Sequence, residues 1–171
     1  MPKDETQLEH RLLQNGCVVL YHNPFLMKEH SCSLARFGWQ FKEVYVAETG
    51  TAEEFFDQVA VSLKLPHFFG RNLDAFRDCL SEMSFRELQR QAFGLIRFDL
   101  VVKRDAVFAH AVLDIFAEVE RHCLLDGGRV LFMVQTADPD LFFCSVGASL
   151  VVWNFEEWLD SKRKKPDSSA T

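Results

Sequence analysis

The chain has 171 residues, with 25 Asp and Glu against 19 Lys and Arg and a formal net charge of −6. That balance argues against non-specific nucleic-acid binding, which needs a basic face to displace counterions, and it suits a protein that meets a basic partner. Hydrophobic residues make up 48% of the chain, 17 Phe among them, which is ample for one domain with a sizeable core, while no apolar run approaches the roughly 18 residues of a membrane helix. The opening MPKDETQLEH is polar and acidic, unlike a secretory signal. A short acidic helix fits around Glu5–Gln14. The apolar run Cys17–Tyr21 reads as a buried strand, and Pro24–Gly38 as a helix carrying Phe25, Leu26, Leu34 and Phe37 and stopped by its glycine. Phe41–Val46 reads as a second strand. Thr51-Ala-Glu-Glu54 is a capping box, in which a hydroxyl and a carboxylate each satisfy a free backbone N–H. Behind it Phe55, Phe56, Val59 and Leu63 share one face.

A tight turn around Pro66 and Gly70 leads into a helix capped by Asn72. Strands are expected at Leu95–Leu100, Val130–Val134 and Leu150–Trp153. Between the first two lies a helix capped by Asp105 with the stripe Val112, Ile115, Phe116 and Val119. The turn Asp126-Gly127-Gly128 feeds the Val130 strand. Ala137–Ala148 is expected to be a loop with a buried Phe pair, and Glu156–Asp160 a short acidic helix. From Lys162 onward the chain reads as a disordered basic and polar tail. Alternating strands and helices predict an α/β domain with a small, mostly parallel sheet of about four to five strands.

Motifs for phosphate loops, dinucleotide binding and nucleophile elbows are missing from the sequence. The six histidines do not fall into metal-ligand spacing, and no metal or cofactor is expected. The five cysteines, Cys17, Cys32, Cys79, Cys123 and Cys144, are odd in number and scattered, and read as buried reduced thiols of a cytosolic protein. On the helix after Asn72, Leu73, Phe76 and Leu80 form the apolar side. Asp74 and Asp78 are one turn apart and point away from it, with Arg77 between them. Asp74 suits the positive end of the helix dipole. A solvated surface, with Arg77 relieving repulsion from Asp78, accounts for these residues without any function. Asp114 and Glu118 form a second acidic pair. A magnesium site from Asp74, Asp78 and Glu118 would need two helices to converge, which periodicity cannot establish.

The run Leu65-Pro66, Gly70, Asn72-Leu73-Asp74-Ala75 and Asp78-Cys79-Leu80, resumed in Val112–Glu118, resembles the barstar family of ribonuclease inhibitors. The resemblance spans roughly Phe41 to Val134. The flanking GCVVLYHNPF and VGASLVVWNFEEWLDSKR look like those of longer bacterial members. It implies a barstar-like domain over residues 1–161, with a core at 41–136 and a tail at 162–171. It also implies a cytoplasmic, non-catalytic, immunity-type inhibitor, monomeric when free. Its partner would be a basic ribonuclease or nuclease-type toxin, with no direct contact to nucleic acid or membrane. The implied binding residues are Phe68, Gly70, Asn72, Asp74, Arg77, Asp78, Ser81, Ile115 and Glu118. Asp78 stands where the family's acid enters the basic phosphate pocket. Phe68 stands at a tyrosine position of the family, Arg77 at an interface tryptophan and Met83 at another aromatic position. A cation at 77 faces a cationic active site and is expected to weaken binding to barnase itself. An adaptor that keeps the fold and binds another basic protein without inhibition is the alternative.

Overall fold

A computed structural model describes residues 3–46, 50–86 and 90–164, without the side chains of 3–6 and 83–86. An inner strand of its sheet is β1 (Val18–Tyr21), whose four residues are all buried. Such an uninterrupted apolar strand needs cover on both faces. It gets that cover from α1 (Lys3–Leu13) and α2 (Pro24–Arg36) on one side. Asn23 caps α2 by accepting from the Phe25 N–H at 2.9 Å, and Pro24 fits the first turn because no N–H is needed there. The edge strand β2 (Gln40–Tyr45) follows. Next come α3 (Ala52–Leu63) and α4 (Leu73–Arg86).

The expected capping box is present, with Thr51 Oγ1 accepting from Glu54 N–H and Glu54 accepting from Thr51 N–H, both at 3.1 Å. The third strand differs from expectation. β3 (Arg90–Ile96) begins earlier than Leu95, and Phe98–Leu100 belong to a helix, α5 (Phe98–Arg104). Arg97 adopts a left-handed backbone, φ 61°, which ends the strand and lets Phe98 and Val101 turn inward together. Gly94 sits where a Cβ would lie 2.7 Å from the Phe41 ring and 3.0 Å from Met27 Cε, so this position in the strand has no room for a side chain.

Asp105 caps α6 (Ala106–Leu125) through the Phe108 N–H at 2.9 Å, and β4 (Arg129–Gln135) follows the Gly127-Gly128 turn. The chain closes with β5 (Val152–Trp153) and α7 (Asp160–Arg163). The sheet order is β2-β3-β4-β1-β5, and every pairing is parallel. Strand alternation sends Leu20, Phe93, Phe132 and Val134 to the face covered by α3, α4, α5 and α6. Val19, Tyr21, Ala92, Leu131 and Met133 face the α1 and α2 layer.

Four expectations are corrected near the C-terminus and at the thiols. Phe143 is buried but its neighbour Phe142 is exposed, so the loop buries one ring of the pair. Residues 155–157 form turns and not a helix, because Asn154 Oδ1 accepts from the Glu156 and Glu157 N–H groups at 3.0 and 3.2 Å. Glu157 then accepts from the His22 and Asn23 N–H groups at 2.9 and 2.8 Å, fastening this segment to the start of α2. The expected tail begins inside α7, where Arg163 is buried and lies over the Trp153 ring at 4.4 Å; residues 165–171 fall outside the described residues. All five cysteines are free, but Cys32 and Cys144 are exposed and Cys79 is half-buried.

Candidate functional site

The site is built on α3, α4 and α6. Lys64 ends α3 in a left-handed conformation, φ 54°, and turns the chain toward Pro66. Pro66 C=O accepts from Phe69 N–H at 2.9 Å, and the buried Phe69 ring meets Phe56 at 5.8 Å. This turn leaves Phe68 standing out, 75% exposed, with the His67 ring against it at 5.4 Å. Asn72 fastens the loop at both ends of its side chain. Its Nδ2 donates to Gly70 C=O at 3.0 Å, and its Oδ1 accepts from Ala75 N–H at 2.9 Å. A Cβ on Gly70 would stand 3.1 Å from that Nδ2, so the close turn suits glycine. Arg71 has a left-handed backbone, φ 47°, and pairs with Asp57 on α3.

Phe76 and Leu80 are buried and seat α4 on the core, with Phe76 edge-on to Phe116 of α6 at 6.0 Å. Asp74 and Asp78 point outward as expected from their spacing. Arg77 does not act where the sequence suggested. It turns away from Asp78 and bridges two other acids: Nη1 lies 3.0 Å from Asp74 Oδ1, and Nε lies 2.9 Å from Glu118 Oε2. The first is a directed hydrogen bond; the second is a close ion pair without hydrogen-bond alignment. Asp78 has no hydrogen-bond or ion-pair partner among the described residues. Ser81 is half-buried beside it. Ile115 departs from the expected contact surface: it is 3% exposed and supports α6 from beneath. The side chain of Met83 lies outside the described residues.

Burial, then the charges of Glu82 and Asp78, pushes the Cys79 thiol up, so it stays protonated at neutral pH. Asp114 is drawn elsewhere, to His110 Nδ1 at 3.1 Å and Gly147 N–H at 3.0 Å. The conceivable magnesium site therefore has a guanidinium in its midst. Among the described residues no three His, Cys, Asp or Glu side chains gather to hold an ion.

The matched family model supplies the decisive comparison. The model for Barstar (barnase inhibitor) matches residues 39–136, more than half of the chain. The chain belongs to the barstar family. No curated protein matches it. The barstar match runs from β2 through β4 and includes the whole loop and acidic helix described above, whereas α1, β1, α2 and β5 lie outside it. Sequence reasoning missed the Arg77–Glu118 bridge, which no local spacing signals. It also missed the Glu157 anchor, for which Asn154-x-x-Glu157 was the available sign.

Proposed function

We propose that this barstar-family chain inhibits a barnase-type ribonuclease by setting the outer face of α4, with the Phe68–Asn72 loop and Glu118, against a basic active site. The observation that carries this reading is Asp78. It is an exposed carboxylate without a counterion among the described residues, on a helix seated on the core by Phe76 and Leu80. RNA-binding sites gather cations for phosphate, and a fixed acid can take the phosphate's place. Phe68, Gly70, Asn72, Asp74, Arg77 and Ser81 would frame the contact, and Ile115 would hold Glu118 in position from below. No residue of the chain acts on RNA in this reading. The exposed thiols of Cys32 and Cys144 suit a reducing, cytoplasmic setting, where an immunity-type inhibitor would protect its own cell. The free protein would act as a monomer.

The test is RNA cleavage by barnase, titrated with wild type and with Asp78→Ala. Inhibition that weakens sharply in the variant, with an unchanged melting temperature, supports the reading; equal inhibition by both removes Asp78 from the contact. The internal pairing of Arg77 favours one second reading, an adaptor that binds a basic protein without blocking it. A complex that forms while RNA cleavage continues at full rate would select that alternative.

A further inference from the structure

We infer that Arg77 decides which ribonuclease this chain accepts, by engaging both Asp74 and Glu118 from within, which cancels one of their two charges and leaves Asp78 as the acid of the face without a partner among the described residues. The inference rests on the inhibitor reading above. Three acids line the face, yet two of them share one guanidinium, at 3.0 and 2.9 Å. That guanidinium is only partly open to solvent: its side chain is 35% exposed and its Nε is enclosed. Arg71, in the loop that leads into α4, is held by Asp57. Among the described residues of the face, an approaching partner therefore meets Asp78 without a partner, beside a triad of two carboxylates and one guanidinium that keeps a single net negative charge.

A ribonuclease with several converging cations finds a fixed cation beside Asp78, and less negative charge than three acids free of Arg77 would offer. Like charge held in place at an interface works against such a partner. Arg77 cannot swing away without leaving Asp74 and Glu118 unpaired. The partner that fits carries one cation opposite Asp78 and an acceptor, a carboxylate or a backbone carbonyl, against Arg77. Its active-site face is less basic than one built to grip several phosphates at once.

The probe is barnase, whose association is followed by stopped flow and whose inhibition is followed by RNA cleavage, at low and high salt. Arg77→Met keeps the aliphatic stem but frees two carboxylates; Arg77→Gln serves if the first variant melts early. Lys28→Met removes the same unit of charge from α2, on the far side of the sheet. The Arg77 variant is expected to associate at least ~10-fold faster than wild type at low salt and to inhibit more tightly, with a steeper salt dependence, whereas Lys28→Met changes little. If Arg77→Met and Arg77→Gln fold but bind no better than wild type while Asp78→Ala still weakens it, this inference fails and the inhibitor reading stands. If wild type and every variant leave barnase fully active and unbound, Arg77 is not what excludes this enzyme and this inference fails, while the inhibitor reading is decided by whether wild type captures and blocks a ribonuclease from the lysate of the organism that encodes the chain.

Discussion

Asp78 and Arg77 are neighbours in chemistry that the fold treats differently. The carboxylate is left to solvent and the guanidinium is used internally. Because Asp78 makes no hydrogen bond or ion pair among the described residues, its replacement by Ala is expected to shift stability by no more than about 0.5 kcal/mol. In a complex the same change strands the partner's buried cation, a loss of about 2–5 kcal/mol. Thermal melting beside an inhibition titration separates the two. The thiols give a second residue-scale expectation. Iodoacetamide at mildly alkaline pH should label Cys32 and Cys144 first, Cys79 slowly, and Cys17 and Cys123 only on unfolding, as mass spectrometry of timed samples can show. Rapid labelling of Cys79 would mean that α4 is not seated as described. The outward direction of Asp74 and Asp78 was legible from their spacing alone, because an i, i+4 pair opposite an apolar stripe has nowhere else to point. The role of Arg77 was not, since its partner Glu118 comes from another helix.

Among the elements, α4 carries the most weight for function, and Phe76 is its main anchor in the core. Phe76 packs edge-on to Phe55, Phe56 and Phe116 at 6.0–6.2 Å, so Phe76→Ala should cost about 3–5 kcal/mol in denaturant unfolding. Asn72→Ala removes a cap and a loop tie together. Its stability cost is expected near 1 kcal/mol, and its effect on inhibition should be larger, because Phe68 and Gly70 lose their fixed place. An inhibition constant unchanged within twofold would show that the loop is not part of the contact. Helix starts were readable because Thr51-x-x-Glu54, Asn72 and Asp105 carry their own hydrogen-bond chemistry. The β3–α5 border was not. Leu95–Leu100 is apolar enough for a strand, and only the left-handed turn at Arg97 divides it. The Asn154 turn hid in the same way, because Glu157 serves a strand end more than 130 positions away in the chain.

At the scale of the whole molecule, β1 and β5 widen the sheet beyond the barstar match and α1 and α2 cover its second face, so the acidic helix rests on a double-sided core. Two buried or half-buried acids give the molecule a pH signature. Burial alone would raise the Asp99 carboxyl, but hydrogen bonds from Arg97 and the Ala137 N–H, with the charges of Arg97 and Lys103, hold it below the usual range. Its stabilisation is present at neutral pH and is lost as pH falls through that depressed value. Burial pushes Glu120 up from 4.5, partly offset by Arg121 and Arg129. That group favours the folded state below its ordinary value and loses this contribution as pH rises through the raised one. Glu120→Gln is therefore expected to raise the melting temperature at pH 7–8 and to leave it nearly unchanged below about pH 4, where the wild-type carboxyl is already protonated. A melting series of both proteins across pH checks the sign.

The claim that α4 blocks a ribonuclease is tested most directly by capture from the lysate of the organism that encodes the chain, with wild type set beside an Asp74/Asp78/Glu118→Ala variant at low and high salt. The expected result is a ribonuclease held by wild type alone, inactive while bound and active once salt releases it. If both proteins retain the same partners, or if the captured enzyme cleaves RNA unhindered in the complex, the acidic face is a solvated surface and the inhibitor reading is wrong.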